Sequence, residues 1–367
     1  MLHDKTRARC WLEVDTKAVL NNLRVATSLL HNGAQLIAVL KADAYGLGIA
    51  KIGKLLWENG VKKYAVACLG EAFELRETLP EAWILCMGET LDGALEEAVQ
   101  AEIRMTAGAC ESARRISDAA ARTGKTAYIH CKVDTGLHRI GMLPETAAAD
   151  ILKCVRMPNV SVEGAYTHLA LHDRRQDELQ HEALENVLQA LRASGFVPSI
   201  VHMLDSIGLV RYPAWQYQAV RVGAMLYGNA PRGFAQRDQI QPTIRFVARV
   251  ARVTDVKAGQ CIGYDDDHPL KQDTKVATLT VGYADGYPRA FSFCGEVEIH
   301  GKRAKNIGLI CMDQMMVDVS DIPDVMPSDE AVLLGGGISL NEYSDIGHLN
   351  HNECTAIIGK RVPRLYL

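Results

Sequence analysis

The chain has 367 residues, 48% hydrophobic and 23% charged, with a formal net charge of -4. That length predicts two domains, and the near balance of charge without a long single-sign block excludes a nucleic-acid footprint or a polybasic membrane patch. No apolar run reaches the roughly 18 residues of a membrane span and no signal peptide is recognisable; the ten cysteines, such as Cys68, Cys86, Cys131 and Cys311, are scattered singly without a CxxC pair and read as buried, reduced thiols.

The first strand-like stretch is Cys10–Val14. From residue 35 to 230, short apolar runs alternate with amphipathic helical stretches. The runs are 36–41, 64–69, 83–87, 103–107, 127–133, 162–168, 200–204 and 220–227. Helical periodicity fills the intervals, as over 71–78, 93–101, 113–123, 145–155 and 177–194, and several helices stop at Gly60, Pro80, Gly124 or Gly195. Eight strand–helix units predict parallel strands with right-handed crossovers, and the count favours closure into a (β/α)8 TIM-type barrel over an open doubly wound sheet. After about residue 240 the texture changes. Alternating β-branched segments at 246–256, 275–283, 296–300, 308–319 and 331–334, separated by Gly and Asp turns, predict a mainly antiparallel β domain. The expected boundaries are 12–235 for the barrel and 240–367 for the β domain, with 1–11 packing on the latter and 234–242 as the linker.

Barrel chemistry collects where strands end. The first barrel run closes in Leu40-Lys41-Ala42-Asp43-Ala44-Tyr45-Gly46. A lysine ending an apolar strand points into the barrel mouth, and burial lowers its pKa as a Schiff-base amine requires; the alternative is a lysine snorkelling at a strand end. The fifth run closes in Lys132-Val133-Asp134-Thr135-Gly136-Leu137-His138-Arg139, too charged to be packing. The sixth ends at His168. The seventh supplies His202 and Asp205-Ser206, and the eighth Arg221-Val222-Gly223-Ala224, with glycine and backbone N–H groups where barrels bind phosphate. Either histidine alone reads as a bonded core residue; adjacent strand ends make them a site.

In the second domain, Gly263-Tyr264-Asp265, Val281-Gly282-Tyr283-Ala284-Asp285-Gly286-Tyr287-Pro288-Arg289 and Cys311-Met312-Asp313-Gln314 stand out against ordinary turn chemistry. Asp265–Asp267 reads as a solvated turn lacking the rest of a calcium loop. No zinc-like spacing exists, His348 and His351 read as surface residues, and no metal is expected.

These motifs together resemble the alanine racemase family over nearly the whole length. The matches are AVLKADAYGLG around Lys41, KVDTGLHRIG from Lys132, YTHLA around His168, RVGAMLYG from Arg221, VGYADGYPR from Val281, CMDQ from Cys311 and RVPR from Arg361. The resemblance implies a pyridoxal 5'-phosphate (PLP) enzyme, a head-to-tail homodimer whose active sites are shared between subunits, and a small amino acid as substrate. By the same resemblance, Lys41 binds the cofactor covalently and is the base on one face of the substrate. Tyr264, from the partner subunit, is the base on the other. Arg221 hydrogen-bonds the pyridine nitrogen. Tyr45, Ser206 and the backbone at Gly223 and Ala224 hold the phosphate. Arg139 and the Met312 backbone orient the substrate carboxylate, while His168 and His202 support the ring and Arg221. Lys132 matches a lysine often carbamylated in the family. Asp313 lies near Tyr264, and Tyr283 lines the entrance. The physics agrees: racemisation removes a proton from one face of Cα and returns one to the other, so two acid–base groups must flank it.

Two departures bear on the substrate. Asp205 replaces the usual Asn before the phosphate-site serine, and its carboxylate is expected to point away. Asn352 stands where alanine racemases usually carry a tyrosine. The smaller, doubly hydrogen-bonding amide resembles the serine racemase branch associated with vancomycin resistance, whose members are built with an N-terminal membrane domain. The expectation is therefore a serine racemase with alanine as second substrate, supplying D-amino acid for peptidoglycan precursors from the cytoplasm, as a free protein or the cytosolic part of a membrane-anchored one. Ordinary alanine racemase is the alternative. A PLP decarboxylase shares the architecture but usually places an acid at the pyridine nitrogen. A PLP-carrier protein would be a barrel alone, and a silent binding module would have lost Lys41 or Tyr264.

Overall fold

The computed structural model describes residues 5, 8–264 and 267–367. They form two compact units, one of Leu20–Ala44 and Ile49–Ile240, the other of the residues up to Val19, Tyr45–Gly48 and Gln241–Leu367. Two residues of the expected acidic turn, Asp265 and Asp266, lie outside the described residues. The strand β1 (Cys10–Val14) belongs to the second unit.

The first unit is a closed barrel of eight strands: β2 (Gln35–Val39), β3 (Lys63–Val66), β4 (Trp83–Glu89), β5 (Arg104–Ala107), β6 (Ala127–Lys132), β7 (Val160–Tyr166), β8 (Ile200–His202) and β9 (Ala219–Val222). Every neighbouring pair is parallel, as apolar strands alternating with amphipathic helices require. Helix Cys110–Thr123 shows why. It buries Ala113, Ile116, Ala119 and Ala120 on one stripe and ends at Gly124, whose φ of 67° suits a left-handed cap. Helix Arg174–Ala193 starts at Asp173, whose side chain accepts from Gln176 N.

Most strands end one to five residues from the expected limits of their runs, and two of these differences shape the site. The last run stops at Val222, and 224–227 is a 3-10 turn closed by left-handed Gly228. The first run stops at Val39, and the backbone then enters a left-handed turn in which Ala42, Asp43, Ala44 and Tyr45 have φ between 53° and 56°. Such a turn costs about 1–2 kcal/mol per residue, so it needs fixing. Glu71 supplies part of that: its Oε1 accepts from Ala42 N at 2.6 Å and its Oε2 from Ala67 N at 2.8 Å. Asp43 Oδ1 accepts from Ile49 N at 2.7 Å.

The second unit is mainly antiparallel, with β10 (Ile244–Val256), β11 (Thr274–Leu279), β12 (Glu296–Ile299), β13 (Lys302–Lys305), β14 (Met315–Asp318), β15 (Glu330–Leu334) and β16 (Arg364–Tyr366). β10 pairs β1 and β15, shifts register between Val250 and Arg252, and continues against β11. β1 is held on both edges, antiparallel to β10 and parallel to β16, and Trp11 is fully buried with Ala8 and Val247, with Leu365 packed against them. Residues 12–19, expected in the barrel, therefore group with the β unit: two ladders outweigh nearness in sequence. Helices Leu340–Gly347 and His351–Ala356 interrupt the β texture. All ten cysteines are free, but Cys68 and Cys294 are exposed rather than buried.

Candidate functional site

The carboxyl ends of the barrel strands gather the charged residues that the sequence singled out. Lys41 opens the strained turn after β2. Burial, followed by the Arg139 and Arg221 guanidiniums, lowers its pKa, which raises the fraction of neutral amine. Lys132, the last residue of β6, is 3% exposed. Burial and the same two arginines bring it down to about 8.

The Lys132–Met142 segment is organised by one carboxylate. Asp134 Oδ1 accepts from the N–H groups of Gly136, Leu137 and His138, and Oδ2 from that of Arg139, at 2.9–3.1 Å. An added Cβ at Gly141, where φ is 136°, would lie 2.6 Å from Asp134 N. The KVDTGLHRIG spacing thus makes a rigid loop that presents Arg139 at its exposed end.

Arg221 is the hub. It is 3% exposed; Nη2 donates to Met203 O at 2.8 Å and Thr167 O at 2.9 Å and faces His168 Nδ1 at 3.1 Å, while Nη1 meets His202 Nδ1. Burial pushes its pKa down to about 10, so it stays a cation and a donor at neutral pH. Burial, then Arg221, holds both His168 and His202 well below the usual imidazole range; both are neutral. Tyr166 stacks on His202 with centroids 4.6 Å apart, and its hydroxyl bonds Thr106 Oγ1 at 2.8 Å.

Next to this hub, Ser206 Oγ accepts from Gly223 N at 3.2 Å and Met225 N at 3.4 Å. Asp205 takes the N-cap position of helix Ser206–Arg211, its Oδ1 accepting from Ile207 N and Gly208 N at 2.9 and 2.8 Å. The extra carboxylate is thereby explained: it caps a helix. Ala224 starts the 3-10 turn that follows.

The β unit holds the remaining candidates. Tyr264 is 81% exposed, Met312 54% and Tyr283 42%, so three large side chains face outward together with the exposed Ile357. Tyr45 is buried. Asn352 is the second residue of helix His351–Ala356, where its N–H donates to Asn350 Oδ1. Asp313 Oδ1 accepts from Arg361 Nη2 at 2.5 Å. His348 is exposed and His351 half-buried.

Sequence reading missed the residue that ties these motifs together. Asp285 is fully buried. Its Oδ1 accepts from Arg9 Nη2 and from Arg361 Nε (2.7 Å), and its Oδ2 from Gly282 N (2.9 Å). The Tyr283 loop then lies on the Met312 loop through Tyr283 N to Cys311 O and Ala284 N to Met312 O. Glu71, Thr106, Tyr166 and His130 were missed as well; Tyr166, which opens the YTHLA motif, and His130, two residues before Lys132, had a nearby signal. Among the described residues no cluster of His, Cys, Asp or Glu is arranged to hold a metal ion, and no helix is long and apolar enough to cross a membrane.

Two family models cover the chain: "Alanine racemase, N-terminal domain" over residues 14–231 and "Alanine racemase, C-terminal domain" over 243–366. An alanine racemase of Carboxydothermus hydrogenoformans is 36% identical across 97% of this chain and 99% of its own. One of Clostridium tetani is 33% identical across 97% and 95%. The solved alanine racemase of Clostridium difficile 630 superposes with a TM-score of 0.95 at 29% identity, covering 99% of this chain and 97% of that one. These relatives are named plain alanine racemase. They fit the ordinary alanine racemase alternative better than the vancomycin-type serine racemase that Asn352 had prompted, which none of these names indicates.

Proposed function

This chain belongs to the alanine racemase family, a family of PLP-dependent racemases, and we propose that it interconverts L- and D-alanine with Lys41 and Tyr264 as the two proton carriers. The observation that carries this reading is the Lys41 amine, its proton affinity lowered by burial and two guanidiniums at the mouth of a closed parallel barrel.

The donor set fits the cofactor. An amine of lowered pKa suits covalent attachment. Arg221 is a buried, permanently protonated donor, which suits a ring nitrogen kept as an acceptor. Ser206 and the Gly223–Ala224 backbone are assigned to the phosphate, and His168 to the ring. When bound, PLP supplies the electron sink that makes a Cα proton removable.

The chain's own residues do the rest. Lys41 takes the Cα proton on one face of the substrate, and the Tyr264 hydroxyl of a second copy returns one on the other face; in the reverse direction the roles exchange. Arg139, on the Asp134-braced loop, orients the substrate carboxylate, as a guanidinium fork does well, with the Met312 backbone. Tyr264 is 81% exposed on a single copy, which supports a homodimer in which it is covered. Tyr283 is assigned to the entrance.

The test is L-alanine in D2O with the PLP-loaded full chain. D-alanine carrying deuterium at Cα is expected from the wild type and not from Lys41→Ala. Release of CO2 instead, or no exchange at Cα, would overturn the reading. Serine as a second substrate rests on Asn352 alone.

A further inference from the structure

A column of polar side chains runs from Arg221 down through the barrel. Arg221 Nη1 meets His202 Nδ1. His202 Nε2 lies 2.9 Å from His130 Nδ1, and His130 Nε2 lies 3.2 Å from Glu163 Oε2. That carboxylate oxygen also accepts from Trp83 Nε1 at 3.1 Å and Arg104 Nε at 3.3 Å. Trp83 and Arg104 are the first residues of β4 and β5, so the column ends at the opposite rim from Lys41.

The column has only one consistent set of protons. A guanidinium can only donate, so His202 must offer a lone pair at Nδ1. A neutral His202 then carries its proton on Nε2 and aims it at His130 Nδ1. His130 must accept there, so its own proton sits on Nε2 and goes to Glu163. Both rings are fully buried, and burial lowers the proton affinity of both. Burial alone would raise the Glu163 carboxyl, but His130 and Arg104 bring it down to about 2, so the terminus is an acceptor. Every ring nitrogen is used, and the polar interior is satisfied from end to end.

The backbone is shaped round the column. Ile129 pairs Val162 while His130 pairs Gly164, which leaves Glu163 as the extra residue of a β-bulge; bulges re-aim side chains near sites. At Gly164 an added Cβ would lie 2.3 Å from both Cε1 and Nδ1 of His130, so the strand is kept bare where the ring passes.

We propose that Glu163 is a positioning residue for Arg221: it accepts the Nε2 proton that the Arg221 end of the column places on His130, and so holds both imidazoles in line beneath the guanidinium. The tautomers follow from the geometry alone; the consequence for turnover rests on the racemase reading above.

The experiment is 15N NMR of histidine-labelled full chain, with and without PLP, for the wild type and for Glu163→Leu and Glu163→Gln. Wild-type His130 and His202 are expected neutral, each with its proton on Nε2. Leucine removes the acceptor and should shift the His202 nitrogens; glutamine keeps a carbonyl acceptor and should leave them near wild type. In the loaded enzyme, leucine should lower kcat about tenfold, the scale of one hydrogen bond in a charged chain, with the KM for alanine little changed and glutamine restoring most of the rate. A proton on His202 Nδ1, a charged ring, or His202 nitrogens unmoved by leucine would overturn the proposal. If the leucine variant fails to fold, Gly164→Ala displaces the His130 ring and must move the same signals, and the wild-type spectrum decides the tautomers by itself. Correct tautomers without racemisation would sink the function and leave the column standing; racemisation with the wrong tautomers would do the reverse.

Discussion

Replacing Asp285 with asparagine changes almost no volume and removes one charge. Its effect follows from the three donors around the carboxylate. Arg9 and Arg361 meet Oδ1 and Gly282 N meets Oδ2. An asparagine amide has one acceptor oxygen and one donor nitrogen, so either orientation turns an NH2 group toward a donor. If the NH2 faces Gly282 N, a buried N–H is left unpaired, which costs about 1–3 kcal/mol. The two guanidiniums are 40% and 43% exposed, so their lost ion pairing is screened and adds only about 1 kcal/mol. The sum is about 2–4 kcal/mol. A chain of two units need not unfold in one step, so the assay is a urea titration followed by hydrogen exchange at Gly282–Asp285 and at Cys311–Asp313. Those amides should lose protection at lower urea than in the wild type, while the barrel strands keep theirs. A loss below about 0.5 kcal/mol at these amides, the scale of an ordinary surface change, would refute the reasoning, because it would mean that water replaces the carboxylate freely.

Three further outcomes are expected. Lys132 titrates at about 8 in the folded chain against an ordinary 10.5. The unfolded chain therefore binds the extra proton between those values, and stability rises with pH across that window by up to about 3 kcal/mol, the penalty being felt in full below 8. A lysine brought down to about 8 also carries a far larger share of neutral amine near neutral pH than an ordinary lysine, and the neutral amine is the form that adds CO2. 13C-labelled bicarbonate should yield a carbamate signal that Lys132→Ala abolishes, and its absence would leave the amine free. For the substrate, Asn352→Tyr should lower serine turnover relative to alanine; an unchanged ratio would remove Asn352 from any account of specificity.

Much of the architecture is local and so can be read along the chain. The alternation of apolar runs with helical periods gives eight strand–helix units, because a strand covered on both faces must be apolar throughout and its covering helix amphipathic. The ends of those runs point to Lys41, Lys132, His168, His202 and Arg221, since a polar residue closing a buried strand has few places to go but the barrel mouth. The change of texture after residue 240 marks the β unit for the same reason of period.

What tertiary structure alone decided are the partners. The sequence shows Glu71 as one acidic residue in a helix; only the fold sets it against Ala42 N and Ala67 N, where it steadies a left-handed turn that no non-glycine run would suggest. Asp285 reads as half of an Asp-Gly turn until Arg9 and Arg361, 276 and 76 residues away, close on it. Glu163 and Gly164 look like a flaw in an apolar strand until the bulge places one under His130 and leaves room for the ring beside the other. β1 precedes the barrel in sequence yet pairs with β10 and β16. Periodicity is carried by residues within a few positions of one another, whereas hydrogen-bond complementarity across the barrel or between loops exists only after the chain has closed.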